Sequence, residues 1–254
     1  MRMGERLHGP LAVLVLLLLP GCDKPTTPTK TESDAGSPVA DAELQAADAD
    51  EADATGATIP FDEAQLFFEL NSTDNDLGLQ LFLDTEGWRR VRVLDPGRNE
   101  IVFLQAERSL AKLGITELRF ESAEPSPEEV LSLFPPGQYR FRGRTVEGDQ
   151  LASNVILSHE FPPAPTFSPS GGEVVDPKNT VVEWNAPGAE QVELIIEQDE
   201  LGHVLDITLS GSSKRLRVPP QFLRPGMEYK IEILSISENG NRIIAESTFR
   251  TGSS

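Results

Sequence analysis

The chain has 254 residues, with 41 acidic against 22 Lys and Arg side chains and a formal net charge of −19. That excess argues against binding nucleic acid or anionic lipid through a basic patch, and suits basic partners or divalent cations. The single cysteine excludes an internal disulfide framework, so stability has to come from packed cores.

In chain order, Arg2 and Arg6 make a positive start, partly offset by Glu5. Leu11 to Leu19 is a wholly apolar run of nine residues, about half of the ~20 needed to cross a bilayer as a helix. It has the length and flanks of a secretory signal core. Leu19-Pro20-Gly21-Cys22 follows and resembles the lipobox of bacterial lipoproteins, with matches at Leu19, Gly21 and Cys22; Pro20 stands where that family prefers a small residue. The resemblance implies removal of residues 1–21 and attachment of acyl chains, palmitate among them, at Cys22. More than one acyl chain is needed for firm anchoring, and this family carries several. The alternatives are an ordinary signal with an incidental cysteine, or an uncleaved short anchor. Asp23 leaves the choice between inner and outer membrane open.

Residues 22–58 read as the lipidated cysteine and an acidic tether. The stretch is rich in Thr, Pro, Ala, Ser, Asp and Glu, with Val39 and Leu44 as its only large apolar side chains. Such a composition cannot bury enough surface to offset chain entropy, which predicts disorder. As a coil it would span about 35 Å on average and over ~100 Å when stretched.

Residues 59–161 read as a β-rich domain. Predicted strands are Gln65–Leu70, Leu77–Leu83, Trp88–Leu94, Glu100–Gln105, Thr116–Glu121, Gln138–Val146 and Leu151–His159, with turns at Asp95-Pro-Gly97 and Glu147-Gly-Asp149. Glu107–Leu113 suits one or two helical turns. Ser126-Pro-Glu-Glu129 predicts a helix start and a short helix to Leu133.

Residues 162–254 follow a proline-rich segment, Pro162–Pro165, read as a stiff linker. Short alternating runs recur at sandwich spacing: Thr180–Trp184, Val192–Glu197, Val204–Leu209, Arg215–Val218, Tyr229–Ile236 and Ile243–Arg250. Asn239-Gly240 is a hairpin signal. Trp184, the run Leu223-Arg-Pro225-Gly-Met-Glu-Tyr229 and the ending Phe249-Arg-Thr251 together resemble the fibronectin type III family over about residues 163–252. The resemblance implies structural roles: Trp184 between two sheets, Leu223 and Pro225 in a corner, and the Tyr229 hydroxyl tied to a loop backbone. Leu133-Phe-Pro135-Pro-Gly-Gln-Tyr139 repeats the corner spacing, which extends the expectation to an immunoglobulin-like sandwich with a short helical insert. The fold class is therefore all-β, two tandem immunoglobulin-like or fibronectin type III-like β-sandwiches after a signal peptide and a disordered tether.

One stretch has the composition of a metal site. Asn71-Ser-Thr-Asp74-Asn-Asp76-Leu-Gly78 packs hard oxygens into a turn, which suits calcium with Asp74 and Asp76 as ligands. The bidentate Glu of an EF-hand is absent at the required position, so further oxygens, such as those of Asp95, would have to join. The plain alternative is a polar hairpin turn. His159 and His203 lie in no metal spacing, and no nucleophile elbow, phosphate loop or zinc motif is present. The leading expectation is a non-catalytic lipoprotein of the bacterial cell envelope, presenting two sandwiches to a protein or envelope polymer and not to nucleic acid. A calcium-dependent binding or adhesion domain and a small glycan-acting enzyme are the alternatives.

Overall fold

A computed structural model describes residues 56–253. The expected signal peptide, Cys22 and nearly all of the tether lie outside the described residues. No helix among the described residues is long and apolar enough to cross a membrane.

The first module opens with β1 (Thr58–Ile59) and β2 (Glu63–Asn71) and continues into β3 (Asp76–Leu94). Alternation decides which way β2 faces. Leu66 and Phe68 point into the core, while Phe67 and Glu69 point out. The sequence reading places two strands, Leu77–Leu83 and Trp88–Leu94, where β3 is one. The chain instead stays extended and bends: its ladders lose register between Asp84 and Trp88. A Cβ on Gly114 would lie 2.7 Å from the Gly87 Cα, so the bend rests on two backbones meeting at glycine.

Beyond the bend come β4 (Glu100–Gln105), α1 (Leu110–Leu113), β5 (Ile115–Glu121), α2 (Pro127–Leu133), β6 (Gly137–Thr145) and β7 (Gln150–Leu157). The first half of β3 pairs with β2 and β5, and the second half with β4 and β6. The two halves thereby enclose one core, built from Leu77, Leu79, Leu81, Leu83, Trp88, Val91, Val93, Tyr139 and Phe141 among others.

The second module comprises β8 (Thr166–Ser168), β9 (Glu173–Val175), β10 (Val181–Asn185), β11 (Gln191–Gln198), β12 (Gly202–Ser210), β13 (Arg215–Arg217), β14 (Glu228–Ile236) and β15 (Arg242–Thr251). A sheet of β8, β10 and β13 faces one of β9, β15, β14, β11 and β12, the arrangement of a fibronectin type III-like sandwich. Between them lies a second core of Val182, Trp184, Leu194, Ile196, Tyr229, Ile231 and Phe249. The strands β8 and β9 follow directly on the proline-rich lead-in, where alternation is too short to read.

The modules are fused at an edge. β15 pairs in parallel with β2, Arg242–Ile244 lying beside Glu69–Asn71, so hydrogen-bonded strands run unbroken as β1-β7-β6-β3-β2-β15-β14-β11-β12. Asn241 clamps this seam. Its side-chain oxygen accepts from the Phe68 N–H at 2.9 Å, and its Nδ2 donates to the Ser158 and Glu160 carbonyls at 2.8 Å each. Below the seam Ser72 donates from both N–H and hydroxyl to the Ile244 carbonyl. Backbone groups that would be exposed at two sheet edges are thus satisfied by each other.

Candidate functional site: two charged sheet faces

Strand alternation collects five arginines on one face. On β6, Tyr139 and Phe141 are buried, which turns Arg140, Arg142 and Arg144 outward. On the second half of β3, Val91 and Val93 are buried, which turns Arg90 and Arg92 outward. Cross-strand register sets Arg90 opposite Arg144 and Arg92 opposite Arg142. β4 adds Gln105 beside Arg90 and Phe103 beside Arg92. β7 adds Gln150, Ala152 and Asn154 beside Arg144, Arg142 and Arg140. No carboxylate occupies any of these ten positions.

The face is held in place by its own bonds. Arg142 Nη1 donates to the Phe141 carbonyl at 2.8 Å and the Ser153 carbonyl at 3.0 Å, and both of its terminal nitrogens reach Asn154 Oδ1 at 3.3 Å. Arg90, Arg92 and Arg144 are likewise engaged in polar or electrostatic interactions. Arg140 Nη1 differs: it is buried and has no hydrogen-bond acceptor. Phe103 is 53% exposed at the rim.

A second face is acidic and spans the seam. Glu69 projects outward from β2 yet is only 5% exposed. Arg242 Nη1 lies 3.9 Å from Glu69 and 3.7 Å from Glu193 on β11, and the guanidinium sits 4.4 Å from the centre of the Phe67 ring. Burial pushes the Glu69 carboxyl up to about 7; Arg242 pulls it down, and Glu121, Glu193 and Glu124 add to the rise. Burial likewise raises Glu193 above the usual carboxylate range. Nearby, Lys230 pairs with Glu232 at 2.7 Å and Glu246 at 2.9 Å. Burial alone would lower the Lys230 ammonium, but these two partners together hold it above its ordinary value.

Asp74 sits in the turn joining β2 to β3, and Asp76 opens β3 opposite Asn71, at the edge of this acidic face. Burial raises the Asp76 carboxyl, and the charge of Asp74 adds to it. The turn's polar groups serve the seam and the turn itself. Asn71 Nδ2 donates to Glu246, the Thr73 hydroxyl accepts from the Glu246 N–H, and Asn71 Oδ1 accepts from the Thr73 and Asp74 N–H groups. Asp95 is at the other end of the 19-residue β3, in its own turn, accepting from Asn99. Among the described residues no three His, Cys, Asp or Glu side chains converge as a metal-binding group.

The corner residues fall as follows. Trp184 and Leu223 are in the second core. Pro225 precedes the positive-φ Gly226 in the turn into β14, and the Tyr229 hydroxyl accepts from the Arg224 N–H at 2.7 Å. In the first module the Tyr139 hydroxyl donates to the carbonyl of Pro135 at 3.0 Å. Burial pushes the Tyr139 phenol up to about 12. Leu133 departs from the echo. It is 65% exposed where Leu223 is 4%, because it ends α2, a helix that inserts Val130 into the core instead.

The arginine face escaped the sequence reading because net charge averages over the whole chain. A local signal was present: Arg90-x-Arg92 and Arg140-x-Arg142-x-Arg144 repeat at the strand period. Reading that period for basic as well as apolar residues finds both runs. Their apposition needs the register.

No family model matches this chain, and neither does any curated protein. Solved structures similar to it include the chicken CNTN1 FN1–FN3 domains, at 12% identity and TM-score 0.33, covering 77% of this chain and 66% of that one. A two-fibronectin type-III domain segment from chicken tenascin matches at 12% identity and TM-score 0.30, covering 74% of this chain and 97% of that one. A tetra-tandem repeat from the extending region of a large adhesion protein matches at 15% identity and TM-score 0.27, covering 73% and 48%. The chain thus spans less than two thirds of the first and third of these.

Proposed function

We propose that this protein is a non-catalytic lipoprotein of the bacterial envelope, held to a membrane through acyl chains on Cys22 and binding a protein or envelope polymer. One observation carries the binding role: two modules with separate cores share a continuous run of paired strands, which presents broad sheet faces on one compact unit. A surface of paired strands is largely ordered before association and so has less conformational entropy to lose. The lipobox-like stretch supports the anchor, and the acidic composition of residues 23–58 suits a solvated spacer.

Two measurements test this. In cells fed labelled palmitate, the wild-type protein should take up label and stay with membranes, and Cys22→Ser should be unlabelled and released. Label in the Cys22→Ser variant would defeat the anchor. For binding, the purified protein should co-sediment with cell-envelope fragments without altering them. Turnover of an envelope polysaccharide that vanishes on changing one carboxylate would replace this reading with the glycan-acting enzyme.

A further inference from the structure

We propose that β4 is an edge to which the β4 of a second copy of this chain adds in antiparallel register, joining the first modules of two molecules in one sheet. Among the described residues, β3 is the one strand that pairs with β4. No residue of β4 is buried, whereas the neighbouring strands bury Val91, Val93, Tyr139 and Phe141. Val102 and Leu104 stand opposite Val93 and Val91 on the core side. Both pack against the core and both stay partly exposed. The core is thus incompletely covered along this edge. On the outer side Phe103 is 53% exposed. An apolar strand paired on one side is a template for another strand.

Charge and register both favour a second copy as the partner. Proteins commonly protect sheet edges with charged side chains. Here β5 carries Glu117, Arg119 and Glu121, β12 carries Asp206, and β13 carries Arg215 and Arg217. β1 and β8 are neutral but have only two and three residues, against six for β4. From Ile101 to Gln105, β4 carries no charge. Each copy has a net charge of −19, so two copies meet at least cost where the contact strand is neutral. A two-fold axis normal to the sheet keeps the core sides of both copies on one face. Side chains alternate with period two, so only residues of like facing can stand opposite each other. Centring the axis on Phe103 sets the two Phe103 rings opposite one another. On the core side it sets Val102 opposite Leu104 of the second copy. An apolar row then runs from Phe141 through Val93 and Val102 to Leu104 and Val91 of the second copy. No like charges are opposed along it.

The contact is small. Addition of one short strand covers much less than the ~1,600 Å² of a standard interface, so association in dilute solution should be weak. Membrane attachment would strengthen it. Two copies held at Cys22 on one membrane, with residues 23–57 between the anchor and β1, meet at an effective concentration of order millimolar. That strengthening rests on the lipid anchor proposed above, and the strand pairing does not.

The test is sedimentation velocity on the purified Cys22→Ser protein at rising concentration. Monomer should give way to dimer as the millimolar range is reached. Added salt should strengthen the dimer, because it screens the repulsion between two like net charges. Phe103→Lys sets two ammonium groups opposite each other and should abolish the dimer. Since Phe103 is exposed, that variant should melt with the Cys22→Ser parent. Register is read by crosslinking. Cys22 is the only cysteine, so Phe103→Cys in the Cys22→Ser protein offers a single thiol per copy. Those thiols should join as a disulfide under mild oxidation, their Cβ atoms standing about 4.5–5.5 Å apart across the axis. Ile156→Cys, 62% exposed on β7, should join far more slowly. A protein that stays monomeric, a dimer that survives Phe103→Lys, or a disulfide that forms no faster at Phe103→Cys than at Ile156→Cys overturns the proposal. If the protein is monomeric and Phe103→Lys releases it from envelope fragments, the edge takes a different protein and self-pairing falls. If it is monomeric and envelope fragments retain Phe103→Lys unchanged, this interface is lost and the broader binding role stands.

Discussion

The two halves of β3 do opposite work with the same geometry. Before the bend, its outward positions Asp76, Gly78, Gln80 and Phe82 lie among Glu69, which is buried at the seam, and the exposed Glu121 and Glu124. After the bend, its outward positions Arg90 and Arg92 face Arg142 and Arg144. The acidic half is tied into structure: Glu69 to Arg242, Asn71 to Glu246, Ser72 to Ile244. The strands paired with the arginine half, β4 and β6, both belong to the first module. The comparison teaches that charge buried at a joint and charge displayed on a face are distinguished by what lies beside them, and not by residue type. Substitutions on the seam should therefore act on stability more strongly than those on the arginine face.

The sharpest contrast should come from Asn241. Replacing it by Leu takes away the partner that Asn241 gives the Phe68 N–H and the Ser158 carbonyl, and one of the two donors to the Glu160 carbonyl, which Asn239 Nδ2 still reaches at 3.0 Å. The expected loss is about 3–5 kcal/mol, read from the urea midpoint. A loss below about 1 kcal/mol would mean that the parallel pairing, and not the clamp, holds the modules together.

Glu69 gives the next effect, with a pH signature. Its carboxyl is raised in the folded protein to about 7 from an ordinary 4.5. The folded state therefore holds this proton more tightly than the unfolded chain does. The associated stability is fully present below about pH 4.5 and is lost as pH rises through about 7, by up to roughly 3 kcal/mol. Glu69→Gln should flatten that decline between pH 5 and 8, and melt higher than wild type at pH 8. An unchanged pH profile would show that Arg242 already neutralises the seam.

The two tyrosine corners separate the modules more finely. Tyr229→Phe removes the acceptor of the Arg224 N–H and should cost about 1–3 kcal/mol. Tyr139→Phe removes only a donor to the Pro135 carbonyl and should cost about 1 kcal/mol. Equal losses would mean that both sites are equally closed to water.

The smallest effect should be in the acidic turn. Asp74 is exposed, and among the described residues its carboxylate accepts a 3.4 Å hydrogen bond from Asn71 Nδ2. Asp74→Ala is expected to change stability by less than about 0.5 kcal/mol, and calcium to leave the melting temperature in place. A calcium-dependent rise of several degrees that Asp74→Ala abolishes would reassign the turn to a cation.

The sequence by itself determined much of this protein. Alternation with period two is local, so the strands around Phe68, Tyr139, Ile195 and Tyr229 were legible, as was the corner from Leu223 to Tyr229. The bend of β3 was not, because the alternation breaks off after Leu83 and resumes at Trp88, and the close approach of Gly87 to Gly114 at the bend is a contact between distant segments. Leu133 misled because motif spacing does not report that a preceding helix has turned the side chain outward. Tertiary structure alone decided the rest. Which strand lies beside which brought Glu69 to Arg242 across 173 residues of chain and gathered two runs of arginine into one face. Cross-strand register is a property of pairs of segments, set by cores and edges far apart in sequence, and no single segment contains it.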